Sequence, residues 1–206
     1  MEKAADLRVI RTRKLIDEAF LSLVEEKGLA GVNVRSLTAK AGINRGTFYL
    51  HYQDIYDLMD KMEDQIIEEM DRLPARSEPE QLLTSGYVEE PYPSIVEFIR
   101  FMNEQHRFFA IFFTQEGTAF GKRLKALIRS RMYEKLPRQV LSPDALSVPD
   151  EYIVAYFSSA HFGVIRHWFE TGRILPPEQV ALILTRLVRD GPLMTAFNRK
   201  PEQQLK

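Results

Sequence analysis

Residues 33–52, Asn33-Val34-Arg35-Ser36-Leu37-Thr38-Ala39-Lys40-Ala41-Gly42-Ile43-Asn44-Arg45-Gly46-Thr47-Phe48-Tyr49-Leu50-His51-Tyr52, constrain the fold more than any other part of this chain. They predict two short helices joined by a tight glycine turn. Asn33 is placed to cap the first helix, with Ser36 at its third position, and Leu37 and Ala41 lie four apart on one side. Gly42 follows the last helical residue, where a left-handed conformation closes the turn. Ile43 then acts as a buried plug, and Asn44 is placed to cap the second helix.

Successive helical residues turn by roughly 100°. If Phe48 faces inward, Gly46 and Leu50 centre the outer face, with Thr47 and Tyr49 on its flanks and Asn44 and Arg45 at the amino end. A glycine, a small hydroxyl, a phenol and a bare leucine suit close approach to a surface better than they suit water. The DNA major groove is such a surface: arginine reaches guanine O6 and N7, threonine and leucine meet the thymine methyl, and tyrosine or histidine bonds phosphate.

These residues resemble the DNA-binding domain of the TetR family of bacterial transcriptional regulators. The resemblance runs from Thr12 to about Met62. It includes an opening helix Thr12-Arg13-Lys14-Leu15-Ile16-Asp17-Glu18-Ala19-Phe20, the stop Glu26-Lys27-Gly28, the stretch from Leu37 to Tyr52, and Asp57-Leu58. It implies that Arg45, Gly46, Thr47, Tyr49 and Leu50 face the major groove beside Asn44. Arg35, Lys40, His51 and the basic residues of the first helix then hold phosphates. One position departs from the family pattern: where a lysine usually grips phosphate at the start of the fourth helix, this chain has Ile55. Tyr56, Gln53 or the backbone is left to take that contact.

Charge supports this placement by its distribution, since the net charge of −1 does not. From Met1 to Tyr56 nine basic residues face seven acidic ones, and Arg8, Arg11, Arg13 and Lys14 gather at the front of the first helix. The chain has no cysteine, which excludes disulfides, thiolate nucleophiles and cysteine-held zinc. It also lacks an amino-terminal apolar run and any uncharged stretch of 18 residues, so a protein of the cytoplasm with no membrane span is expected.

The remaining pattern is all-α. The first helix is expected over Val9 to Lys27, with Leu15, Ile16, Ala19, Phe20, Leu23 and Val24 as its stripe, and Gly28 stops it. A long fourth helix, 54–73, carries Leu58, Met62, Ile66 and Met70 four apart. Prolines and serines then mark a linker at 74–93, with a possible helical piece at 80–83. The domain organisation is therefore a helix-turn-helix domain at 1–53 with the connecting helix 54–73, and a larger helical effector-binding and dimerisation domain at 94–206. In the latter, Ser94 opens a helix to Glu104, and further helices cover 106–114, 118–136, 150–171 and 177–197, with a proline-broken loop at 137–149.

Aromatic residues crowd this second domain, and polar groups such as His106, Arg107 and His161 lie among them. An aromatic cavity with a few polar groups is a small-molecule pocket, and Phe109, Phe113, Tyr133, Tyr156 and His161 are its candidate lining. The last two helices are more apolar than one face requires. A two-fold four-helix interface absorbs the surplus, with Phe157, Val164, Trp168, Ile183 and Leu187 as candidates. The resemblance points the same way, since family members dimerise by such a pair and lose DNA affinity on binding an effector.

Catalytic patterns are missing. Gly117-Thr118-Ala119-Phe120-Gly121-Lys122-Arg123 has three residues between its glycines where a phosphate loop has four, and arginine where the magnesium-binding hydroxyl belongs. His161 and His167 are six apart and face different ways, so no metal site or cofactor is expected. A helical enzyme using His161 or His106 as a base lacks a partner acid or nucleophile. The expectation is a ligand-responsive repressor that binds a near-palindromic double-stranded operator as a homodimer and is released by a small-molecule effector. The alternative is an activator or co-regulator of the same fold acting through a protein partner.

Overall fold

The computed structural model describes residues 2–74, 89–113, 119–135 and 148–191, without the side chains of 2–6, 119 and 132–135. Residues 75–88 of the expected linker, the helical piece at 80–83, the loop before residue 148, the tail beyond 191 and the Tyr133 side chain lie outside this description. Among the described residues there are nine α-helices, one short 3-10 turn and no strand. None of these helices is long and apolar enough to cross a membrane. The chain divides into two compact units, Met1–Glu69 and Met70–Lys206. The division falls inside the helix that spans Ile55–Arg72.

The first unit holds α1 (Glu2–Lys27), the 3-10 turn Leu29–Gly31, α2 (Val34–Ala41), α3 (Arg45–Tyr49) and most of α4 (Ile55–Arg72). Helix α1 begins earlier than expected, at Glu2 in place of Val9. The reason is local: Glu2 to Arg8 contains no glycine or proline, so helical propensity carries the first turns without an apolar face. Leu7 and Ile10 are accordingly exposed, and so is Leu15, which was expected in the stripe. Packing starts at Ile16, which is buried together with Ala19, Phe20 and Leu23, as are Leu37 of α2 and Phe48 of α3. The four-residue row Leu58, Met62, Ile66 and Met70 is buried along the length of α4, as a row at that spacing requires.

The second unit holds the last turn of α4, α5 (Pro93–Glu104), α6 (His106–Phe113), α7 (Ala119–Lys135), α8 (Asp150–Glu170) and α9 (Pro177–Arg189). Helix α5 opens on Pro93, which needs no amide partner at that position. Ser94, expected as its cap, is inside the first turn and buried; the cap residue is Tyr92, whose N–H donates to Thr185 Oγ1 at 3.0 Å.

An aromatic core organises this unit. Phe108 stacks on Phe112 at 4.3 Å, and Phe120 of α7 meets Phe108 and Phe112 at 5.1 Å each and Phe109 at 5.9 Å. From α8, Phe162 meets Phe113 at 5.7 Å, and Phe169 meets Phe113 at 5.1 Å and Phe109 at 5.8 Å. Each such pair adds about 0.5–1.5 kcal/mol beyond the area it buries. The α8–α9 joint is pinned to the same core. Gly172 and Arg173 both adopt left-handed φ, 75° and 57°, and Arg173 N–H closes on Trp168 O at 2.8 Å. The Arg173 guanidinium lies over Phe169 and donates to Asn103 Oδ1 at 2.6 Å, which offsets the strain of a non-glycine residue in that region.

Candidate nucleic-acid interface

The turn between α2 and α3 is fixed at both ends by backbone chemistry. Asn33 Oδ1 accepts from Ser36 N at 2.9 Å, and Ser36 Oγ accepts from Asn33 N at 3.3 Å, a reciprocal cap on α2. Gly42 sits at φ 66°, its N–H donates to Ala39 O, and Ile43 N–H reaches Thr38 O at 3.0 Å, closing α2 in a left-handed stop. Ile43 is half-buried, a shallower plug than the sequence suggested. Asn44 Oδ1 then accepts from Thr47 N at 2.7 Å and from the Thr47 hydroxyl at 3.1 Å. That commitment makes Asn44 a holder of α3.

Phe48 is fully buried, edge-on to Tyr49 at 5.5 Å and tilted against Tyr52 at 5.6 Å. The outer face is bare, as the angular argument requires: Leu50 is 81% and Tyr49 57% exposed, and Arg45 and Gly46 are exposed beside them. A Cβ on Gly46 would meet Asn44 Oδ1 at 3.3 Å, so a side chain there presses on the cap of α3.

The exit of α3 is held by α4. Asp54 caps α4 by accepting Asp57 N–H at 2.8 Å, while the Asp57 carboxylate accepts Gln53 N–H at 2.8 Å and pairs with Lys61 at 2.9 Å. Lys61 also donates to His51 O at 3.0 Å and lies over the Tyr52 ring. The backbone hydrogen bond from Gln53, then Lys61, holds the Asp57 carboxyl below its usual range. Ile55 begins this helix half-buried, while Tyr56 is exposed. Lys61, which the sequence reading missed, is the nearest ammonium to the α3–α4 turn that these bonds record; its signal was the i, i+4 spacing from Asp57.

Electrostatics refine two of the expected phosphate contacts. Lys40 Nζ is paired with Glu26 Oε1, so it meets phosphate only by exchanging partners. His51 has its pKa lowered, by burial first and then by Arg13 and Lys61, so at neutral pH it offers one N–H and no charge. Arg35 and Arg45 are exposed, and among the described residues neither guanidinium makes a hydrogen bond or ion pair. The Arg13 charge acts on His51, Tyr52 and Asp17, which places the basic front of α1 within reach of the end of α3. Asp17 itself is pushed up to about 6, by burial against the opposing pull of Arg13, and its Oδ1 has no hydrogen-bond partner.

The expected effector and dimer residues divide. Phe109, Phe113 and His161 are buried, the two rings within the aromatic core and His161 Nδ1 facing Phe157 O at 2.8 Å. Tyr156 is not with them: it is 53% exposed on the outer side of α8, because it lies two residues from buried Val154 and Ser158 on either side. Phe157, Val164, Ile183 and Leu187 are half-buried, open to a partner along α8 and α9. Trp168 is a correction to the interface set. At 4% exposed, with its indole N–H donated to Leu175 O at 2.8 Å, it locks the α8–α9 joint from inside. One residue that sequence reasoning passed over is Arg131 of α7, buried on the apolar stripe and bonded to the carbonyl end of α4.

Comparison with known proteins gives the same picture. Residues 16–62 match the family model described as bacterial regulatory proteins, tetR family, and residues 89–190 match a transcriptional regulator C-terminal region. A 62-residue stretch is 42% identical to the uncharacterized HTH-type transcriptional regulator YxbF of Bacillus subtilis (strain 168), covering 30% of this chain and 16% of that protein. Among solved structures, a TetR transcriptional regulator from Streptococcus agalactiae 2603V is similar with a TM-score of 0.64 at 15% identity, over 92% of this chain and 99% of that one. The dihydroxyacetone kinase operon activator DhaS gives 0.62 at 16% identity over 86% and 93%. NalD, the secondary repressor of the MexAB-OprM multidrug efflux pump in Pseudomonas aeruginosa, gives 0.59 at 22% identity over 87% and 95%. These structural likenesses speak for the fold.

Proposed function

The chain belongs to the TetR family of bacterial transcriptional regulators, which are DNA-binding proteins and not enzymes, and on that premise we propose that it is a homodimeric repressor of a near-palindromic operator, released by a small-molecule effector. The observation that carries the reading is the outer face of α3. Leucine and tyrosine stand exposed beside Arg45 and Thr47, on a helix whose caps and buried Phe48 leave it one orientation. Arg45, Thr47, Tyr49 and Leu50 enter the major groove, with Gly46 allowing close approach. Arg35, the Arg8 to Lys14 cluster, Lys40 and His51 meet phosphates.

A recognition helix of five residues offers few base contacts, and two of them roughly 34 Å apart multiply the selectivity. The half-buried apolar residues Phe157, Val164, Ile183 and Leu187 favour a partner copy on α8 and α9. The domain roles follow: 1–53 reads DNA, 54–73 connects, and 94–206 binds the effector and dimerises, with Phe109, Phe113 and His161 as effector contacts. The protein acts in the cytoplasm, where its operator is.

The test is the double variant Arg45→Ala with Tyr49→Phe. Loss of a bidentate base contact costs about 1–3 kcal/mol of operator binding; unchanged affinity and salt dependence would show the groove assignment to be wrong. A second reading, an activator or co-regulator of the same fold, has Ile55 and the likeness in fold to the activator DhaS in its favour. Purified protein that fails to shift operator DNA unaided would favour the co-regulator.

A further inference from the structure

Helix α7 carries its apolar stripe on Phe120, Leu124, Leu127 and Ile128, all buried, and the next position on that face is Arg131. A guanidinium at an apolar stripe position is costly to bury unless its protons find acceptors. Here the acceptors are main-chain carbonyls. Arg131 is 7% exposed, and its Nη2 donates to Met70 O, to Asp71 O at 2.7 Å and to Leu73 O at 3.0 Å. These are carbonyls of the last turn of α4 and the residue that follows it. The final carbonyls of a helix have no intrahelical donor and carry the negative end of its dipole, so a permanent cation is the fitting cap.

A side chain sixty residues downstream thus closes α4, where a local glycine usually does so. The same α7 reaches the aromatic core at its other end, since the Phe120 ring meets Phe108, Phe109 and Phe112. Phe120 and Arg131 lie eleven residues apart, about three helical turns, on one rigid element. A displacement of the rings therefore moves Phe120, α7 and the hydrogen bonds on Met70 to Leu73 together.

We infer that Arg131 is the positioning residue that fixes the carboxyl end of α4 to α7, and that through it the aromatic core of the second unit sets the α4 geometry on which two-site operator binding depends. The inference rests on the regulator reading above. Lysine keeps a charged nitrogen with three protons, but its stem ends about one bond short of Nη2, so it replaces Arg131 only in part.

The test uses the full chain as wild type, Arg131→Met, which keeps much of the stem volume, and Arg131→Lys. The probes are a duplex selected from random-sequence DNA with the wild-type protein and a half-site duplex carrying one of its arms. For Arg131→Met, full-operator affinity falls by about tenfold or more, because fixed geometry between two linked sites is worth on the order of 10²–10⁴ in avidity. Half-site affinity stays within about twofold, and the amides of the last turn of α4 exchange about tenfold faster, since its cap is gone. Arg131→Lys falls between the two.

A variant with unchanged full-operator affinity overturns the assignment. So does equal loss on full and half sites, which marks a residue that merely supports the fold. A wild-type protein that itself binds the full operator no better than the half site sinks the dimeric regulator reading instead.

Discussion

Asp17 offers a test of the reading-domain geometry that needs no operator. It lies one turn after Arg13 on α1, largely buried, with Oδ1 lacking a hydrogen-bond partner, and its pKa is raised from 3.8 to about 6. Burial is the main cause, Arg13 opposes it, and Glu18 adds to it. A carboxyl whose folded pKa exceeds its unfolded value holds its proton more tightly in the folded chain. Its contribution to stability is therefore fully present below about pH 4, falls as pH rises towards 6, and stays lost above.

At 1.36 kcal/mol per pH unit, a rise of roughly two units corresponds to about 3 kcal/mol as a ceiling, since partial hydration lessens it. Asp17→Asn removes the ionisation, so the variant gains about 1–3 kcal/mol over wild type at pH 7.5 and close to nothing at pH 4. The sole tryptophan, Trp168, belongs to the second unit, so its fluorescence follows the other unit. Backbone amide exchange at Phe20, Leu37 and Phe48, taken at several pH values, reads the first unit directly. If wild type and variant share one stability slope between pH 4 and 6, or if wild type is the more stable at pH 7.5, the buried and unpartnered carboxylate is misjudged.

Two further outcomes follow from the same unit. Gly42→Ala costs about 1–2 kcal/mol of first-unit stability, since the left-handed φ is the penalty and no atom lies within 4 Å of the new Cβ; Gly42→Asn costs less, and equal exchange rates for the two would remove the turn argument. Glu26→Gln releases Lys40 for phosphate, so operator binding tightens at low salt and the slope of log affinity against log salt steepens by about one; an unchanged slope leaves Lys40 without a phosphate.

The sequence was most legible where structure is local. Asn33, Gly42 and Asn44 act through bonds spanning three to five residues, so their roles follow from their spacing. Periodicity likewise placed Phe48 inside and Leu50 outside, and the Leu58 to Met70 row inside. It misled where propensity alone makes helix, as in Glu2 to Arg8, which has no stripe to announce it. Apolar content also does not say which surface a side chain meets. Trp168 is large and apolar, as an interface residue would be, yet its indole N–H bonds Leu175 O across the α8–α9 joint. Tyr156 is aromatic like the pocket candidates, yet it is exposed, with Val154 and Ser158 buried two residues away on either side.

Arg131 shows why a coupling of the kind inferred above is the least legible part of such a chain. A charged residue on an apolar stripe is visible in sequence, eleven positions after Phe120, but its meaning lies in an acceptor set sixty residues away that carries no side-chain signature at all. Carbonyls of a helix end belong to every sequence equally. The recognition face, by contrast, is written in side chains, and its departures, such as Ile55 and the pairing of Lys40 with Glu26, can be weighed one at a time. With neutral His51 and those two cations missing or engaged, the candidate phosphate contacts of a single reading head reduce to Arg35 and the basic front of α1. On the proposed dimeric reading, affinity then leans on holding two heads at a fixed separation, which is what gives the anchoring of α4 its consequence.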